Sequence, residues 1–254
     1  MAATPVPPAP APVAETAPLS EPARVLNTFF APSKTFTDLR RNASWWLPFL
    51  IGGIVYVMFV YTVDQRVGFQ KVVENQLRLQ PKQAERLDRL PADQRETAMR
   101  QQTGFWKILS YGGPVIGLIF YLIITAVLFG TFKFAANADL RFKTMFALVV
   151  FAWLPMVFVS LLAAISLLAG VSSDGFMIQS PAATNLGAFV DPTASPALYA
   201  LLSSVDIFTF WSLALMAIGV TYISKVKRGT AFAVVLGWFA FWVLVKVGLA
   251  AAAS

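Results

Sequence analysis

The run from Leu198 to Ile223 is apolar over a length that crosses a bilayer, yet it carries Asp206 about a third of the way in. A membrane-crossing helix takes ~20 apolar residues, and a carboxylate inside one costs several kcal/mol unless it is protonated, hydrated or paired. Four further runs have comparable length and apolarity, at about 46–63, 108–132, 144–170 and 230–252. The expected fold is therefore all-α and polytopic, with five transmembrane helices. Lys246 is the other charged side chain set well inside an apolar run.

Composition agrees with a membrane solvent. The 254 residues are 57% hydrophobic and 13% charged, about half the charged fraction of a soluble domain. The net charge of +7 does not indicate nucleic acid, because the basic residues cluster at the ends of apolar runs, where topology places them. There is no Cys and no His. That removes disulfides, thiol nucleophiles, the commonest soft metal sites and the usual general base near neutral pH. No metal or other cofactor is expected, and no carboxylate, Ser and Lys arrangement has the context of a catalytic site.

Residues 1–22 are Pro/Ala-rich without apolar periodicity and read as a disordered tail. Residues 23–44 place Val25, Leu26, Phe29 and Phe30 on one helical face, then Phe36 and Leu39 on another. They are expected to lie in the membrane interface, with Lys34, Arg40 and Arg41 toward anionic lipid headgroups. Trp45 and Trp46 belong to an interfacial aromatic belt. Residues 64–107 form the one long polar insert, with nine Lys/Arg and six Asp/Glu. Breaks at Pro81 and Pro91 predict two or three short amphipathic helices forming a solvated cap.

Gly112-Gly113-Pro114 loosens the start of the second span, and Gly113 with Gly117 forms a small-xxx-small pair that permits close helix approach. Pro155 interrupts the third span. It predicts a kink, and a carbonyl one turn earlier that a neighbouring helix, hydroxyl or water must satisfy. Residues 171–197 read as a loop, and no long-period repeat supports an inverted-repeat transporter.

Charge places the N-terminus in the cytoplasm and the C-terminus outside. The N-terminal flank carries four Lys/Arg and the 133–143 and 225–228 turns three each, whereas the 171–197 loop and C-terminal tail carry none. In that topology Asp206 and Lys246 lie ~12 Å and ~9 Å below the outer ends of antiparallel neighbours, at 1.5 Å per residue. They are expected to form an intramembrane ion pair, with Ser203 and Thr209 on the face of Asp206. The pair serves helix packing first. A polar pathway for protons or a solute is the functional alternative.

Three stretches, FFAPSKTFTDLRRNASWWLPFLIG, FKTMFALVVFAWLPMVF and SSVDIFTFWSLALMAIGV, resemble prokaryotic members of the Yip1 domain family over about residues 23–250. The resemblance implies five spans behind a cytoplasmic N-terminus, in the inner membrane of a prokaryote. Eukaryotic relatives are associated with Golgi and endoplasmic reticulum membranes, vesicle traffic and prenylated small GTPases. This chain lacks their acidic, Tyr-Gly-Pro-containing motif, so GTPase binding does not carry over. The expected function is a non-enzymatic membrane scaffold or adaptor that organises lipid or partner proteins, a second copy included. A small transporter or channel subunit using Asp206 is the alternative, and a lipid-acting membrane enzyme ranks last.

Overall fold

A computed structural model describes residues 17–253. The disordered-tail expectation falls mostly on residues outside that range, although the tail's last two positions, Glu21 and Pro22, already belong to a helix. Among the described residues there are helices and no strands, only an isolated antiparallel bridge between Asn185 and Asp206.

The chain enters through a helical hairpin. Helix α1 (Glu21–Phe30) is capped by Ser20, whose hydroxyl accepts the Ala23 N–H at 3.3 Å. It stops before Pro32, which opens α2 (Pro32–Asp38). Arg24 is only 1% exposed. Its guanidinium donates to Asp38 at 2.6 Å and to Glu21 at 3.1 Å, and the Thr28 and Thr35 hydroxyls both donate to its carbonyl at 2.8 Å.

This hairpin packs one side against the bundle, while Leu26 and Phe30 stay exposed. Near its tip, Phe29 stands edge-on to Phe158 at 5.5 Å and to Trp211 at 5.8 Å. Phe36 and Leu39 are fully buried in the main core. Arg24 could be buried because Asp38 and Glu21 neutralise it, whereas Lys34, Arg40 and Arg41 remain exposed. Amphipathic spacing alone does not separate these two outcomes.

Helix α3 (Trp46–Arg66) is 21 residues long, ~30 Å at 1.5 Å per residue. The polar insert follows as α4 (Phe69–Arg78), α5 (Pro81–Asp88) and α6 (Ala92–Tyr111). Pro81 opens α5 and Pro91 precedes α6, positions where a missing N–H is harmless. Gly112 separates α6 from α7 (Gly113–Gly130), which continues through a π-helical turn over Thr131–Ala135. The close approach expected of the glycine pair occurs at one member. A Cβ on Gly113 would sit 2.2 Å from the Tyr56 ring of α3, while one on Gly117 would meet nothing.

Helices α8 (Phe142–Ala152) and α9 (Met156–Leu168) are two halves of one apolar rod, broken by a turn at residues 153–155. Pro155 has no N–H for the Phe151 carbonyl. Leu154 donates to that carbonyl instead, at 3.1 Å, so a tightened turn supplies the partner that was expected from another helix or a hydroxyl. Every residue from Thr144 to Ala152 is buried, and α8 packs against α1, α3, α7 and α11. It is the centre of the bundle.

The last elements are α10 (Pro196–Leu202), α11 (Ile207–Ile223) and α12 (Arg228–Ala253). Four helical stretches are long and apolar enough to cross a membrane: Trp46–Arg66, Gly113–Ala135, Phe142–Leu168 and Arg228–Ala252. The run expected as one span over 198–223 is interrupted, which leaves Ile207–Ile223 as a shorter apolar helix.

Two ends of the bundle are distinct. At one, α4 docks on the segment after α9. Asn75 donates to the Ser173 and Phe176 carbonyls at 3.1 and 3.0 Å, and Gln179 donates to Gln76 at 2.8 Å. Phe69 and Val72 of α4 share a core cluster with Val63 of α3, Leu167 of α9 and Phe176. At the other end, Phe36 and Leu39 share the main core with Phe132, Leu140, Ile223 and Ala231. The hairpin, the turn before α8 and the α11–α12 turn therefore lie together.

Candidate functional site

The break between α10 and α11 gathers both charges that stood out within apolar sequence. Helix α10 ends because Ser203 and Ser204 turn their hydroxyls back onto the Ala200 carbonyl, at 3.2 and 2.8 Å. The Ser204 N–H then bonds the Leu201 carbonyl at 3.0 Å, one residue short of its helical partner. Helix α11 restarts at Ile207 with Asp206 as its N-cap, one carboxylate oxygen accepting the Thr209 N–H at 2.8 Å.

The extended backbone between the two helices is satisfied from the loop. Leu186 N–H donates to the Val205 carbonyl at 3.2 Å, and Ile207 N–H to the Thr184 carbonyl at 3.3 Å. The Thr184 hydroxyl donates to the second carboxylate oxygen of Asp206. Buried backbone outside a helix needs its hydrogen bonds supplied from elsewhere in the protein, and residues 184–186 do that here. Gly187 lets this loop approach, since a Cβ there would lie 2.9 Å from Ser203.

Lys246 of α12 approaches from the other side. Its ammonium donates to Ser203 Oγ at 2.9 Å and Ser204 Oγ at 3.1 Å, the same hydroxyls that bond the Ala200 carbonyl. The cation thus serves the C-terminal end of α10, and the Asp206 carboxylate serves the N-terminal end of α11. Each sign complements the helix end it faces.

The expected ion pair between Asp206 and Lys246 is not formed. Depth and helix adjacency bring the two residues to one site. A helix terminus offers each a nearer partner, which an unbroken helix would not have exposed. Ser203 belongs to the Lys246 half of the site, and Thr209 contributes its backbone N–H. The Asp206 carboxylate is 6% exposed and touches a cavity of about 300 Å³. That cavity is lined by residues 183–186, 189, 205–207 and 210. Its walls come from one end of the bundle, so it does not run between the long helices.

Asp206 standing directly before an apolar run is legible as a cap signal. The roles of Thr184, Ser204 and the buried Arg24–Asp38 pair depend on contacts distant in sequence and left no pattern to read. Outside the spans, electrostatics tie the insert together. Hydrogen bonding to Lys71 holds the Asp174 carboxyl below the usual carboxylate range, and Thr193 does the same for Asp191. Hydrogen bonding to Asp64 holds the Lys107 ammonium above its ordinary value.

A family model described as Yip1 domain matches residues 26–250. No curated protein and no solved structure matches the chain significantly.

Proposed function

The chain belongs to the Yip1 domain family, and on that footing we propose a non-enzymatic membrane scaffold that organises anionic lipid or partner membrane proteins. One observation carries it: the two polar ends of the bundle use their cations differently. In the insert, five of the nine cations, Lys71, Arg89, Arg95, Arg100 and Lys107, are ion-paired. At the hairpin end, Lys34, Arg40, Lys133, Arg141, Lys143, Lys225, Lys227 and Arg228 are exposed and form no ion pair among the described residues. Unneutralised cations suit anionic headgroups or an acidic partner surface.

The same asymmetry supports an N-terminus in the cytoplasm and a C-terminus outside, with α10 and α11 together as a fifth crossing. It also accounts for the basic residues of the insert, most of which carry a carboxylate partner. The resemblance of three stretches to prokaryotic members of the family is the basis for proposing the inner membrane of a prokaryote as the location. The non-enzymatic reading draws support from the lack of His and Cys, and from carboxylates committed to ion pairs and caps.

A transporter or channel subunit using Asp206 is the second reading, favoured by the cavity at that carboxylate. The two separate by experiment. Photo-crosslinkers at Lys34 and Arg40, read by mass spectrometry in native membranes, are expected to capture anionic lipid, a partner or a second copy. Proteoliposomes are expected to show no proton flux. Flux abolished by Asp206→Asn would replace the scaffold by the transporter, and a C-terminal reporter active only in the cytoplasm would reverse the orientation.

A further inference from the structure

Three apolar rods line a second, partly open cavity of about 280 Å³, between α3, α7 and the α8–α9 break. That volume lies just below the usual range of small-molecule sites, ~300–1,000 Å³, which combine apolar walls with a few convergent polar groups. Glycines keep it open. A Cβ at Gly52 or Gly117, both on its wall, would meet nothing within 4 Å. The approach of Gly113 to Tyr56 draws the two helices together beside it.

The walls are mostly carbon, but Tyr56, Tyr121 and Ser160 contribute hydroxyls. None of the three hydroxyls has a hydrogen-bond partner among the described residues, and neither has the buried Trp153 Nε1 on the same wall. Ser160 does not turn back on its own helix, as Thr62, Thr125 and Thr131 do. Tyr56 lies eight residues along α3 from Asp64, which pairs with Lys107 at the polar boundary. At 1.5 Å per residue that is ~12 Å, close to the centre of a ~30 Å hydrocarbon layer. Hydrocarbon cannot supply the partner that a polar hydrogen lacks there.

A phospholipid keeps its ester oxygens at the edge of the hydrocarbon, so its chain would offer these hydroxyls only methylenes. We propose that the cavity binds a neutral, membrane-soluble ligand with carbonyl oxygens on a flat apolar ring, the chemistry of a lipid-soluble quinone. The carbonyl oxygens accept from the hydroxyls, and Phe49, Phe120 and Trp153 of the lining offer faces for the ring. This site is separate from the basic end that carries the scaffold reading, and either can fail without the other.

The test uses the full chain in nanodiscs, with decylubiquinone as probe and intrinsic tryptophan fluorescence as readout. Saturable quenching is expected. Tyr56→Phe combined with Ser160→Ala should weaken it about tenfold, the worth of roughly one buried hydrogen bond. Gly117→Leu, which fills the cavity, should abolish saturation. If that variant does not fold, Gly52→Leu fills the same space from α3. Equal competition by a plain decyl alkane would assign the groove to acyl chains and overturn the proposal. So would quenching that never saturates, or that survives both filling variants unchanged.

Discussion

Asp206 and Lys246 flank one helix break without bonding to each other: the carboxylate caps α11 through the Thr209 N–H at 2.8 Å, and the ammonium reaches α10 through Ser203 Oγ at 2.9 Å. Their effects on stability should therefore be separable. Asp206→Ala is expected to cost about 1–2 kcal/mol as a lost N-cap, and Asp206→Asn far less, because Asn caps as well as Asp. Lys246→Met should cost about 1–3 kcal/mol from its lost charged hydrogen bonds. The double variant Asp206→Asn/Lys246→Met should show the two costs added to within ~0.5 kcal/mol. Detergent-phase unfolding of the four proteins measures this, and a double variant more stable than Lys246→Met alone would reinstate a direct pair.

The N-terminal hairpin depends on a buried charge. Arg24→Met leaves Asp38 and Glu21 without their cation in a site closed to water, at a cost of about 3–5 kcal/mol. Because the chain has no cysteine, a single Phe36→Cys reports on the hairpin directly. That thiol should be unreactive in the otherwise native protein and become labelled when Arg24→Met is added. Unchanged protection would mean that apolar packing alone holds the hairpin in place.

The two glycines of α7 should respond differently to alanine. Gly113→Ala drives a methyl into the Tyr56 ring and is expected to destabilise by about 1–3 kcal/mol. Gly117→Ala meets open space and should stay within ~0.5 kcal/mol of the parent. Truncating the ring, in Tyr56→Leu/Gly113→Ala, should recover part of the loss. Equal effects at both glycines would show that α7 approaches α3 along its whole length.

Acid should loosen the insert from the loop it docks on. Lys71 depresses the Asp174 carboxyl, so the stabilisation is present above the unfolded value, ~3.9 for Asp, and disappears as pH falls through the folded one. Cysteines placed at Gln76 and Gln179, whose side chains bond at 2.8 Å, should cross-link readily at neutral pH when treated with an oxidant active across the range. Efficiency should drop at strongly acidic pH. With Asp174→Asn added, the acid step should vanish, and a step that persists would belong to another carboxylate.

Much of the architecture follows from the order of residues alone. Hydrocarbon cannot hydrogen-bond a peptide group, so each long apolar run must become a helix, and Pro81, Pro91, Gly112 and Pro155 mark where helices start or break because their backbone chemistry is local. The family is also legible there, because it is carried by contiguous stretches. Tertiary structure decided what local chemistry leaves open. Arg24 is buried because Asp38, fourteen residues on, comes back to meet it. Residues 198–223 are split because Thr184 and Leu186, distant in sequence, supply the hydrogen bonds that a broken helix needs. Asp206 and Lys246 share a depth, as their positions along the chain required. Whether opposite charges at one depth join or part depends on which partners lie nearer, and only the packed bundle provides the two helix ends that separate them.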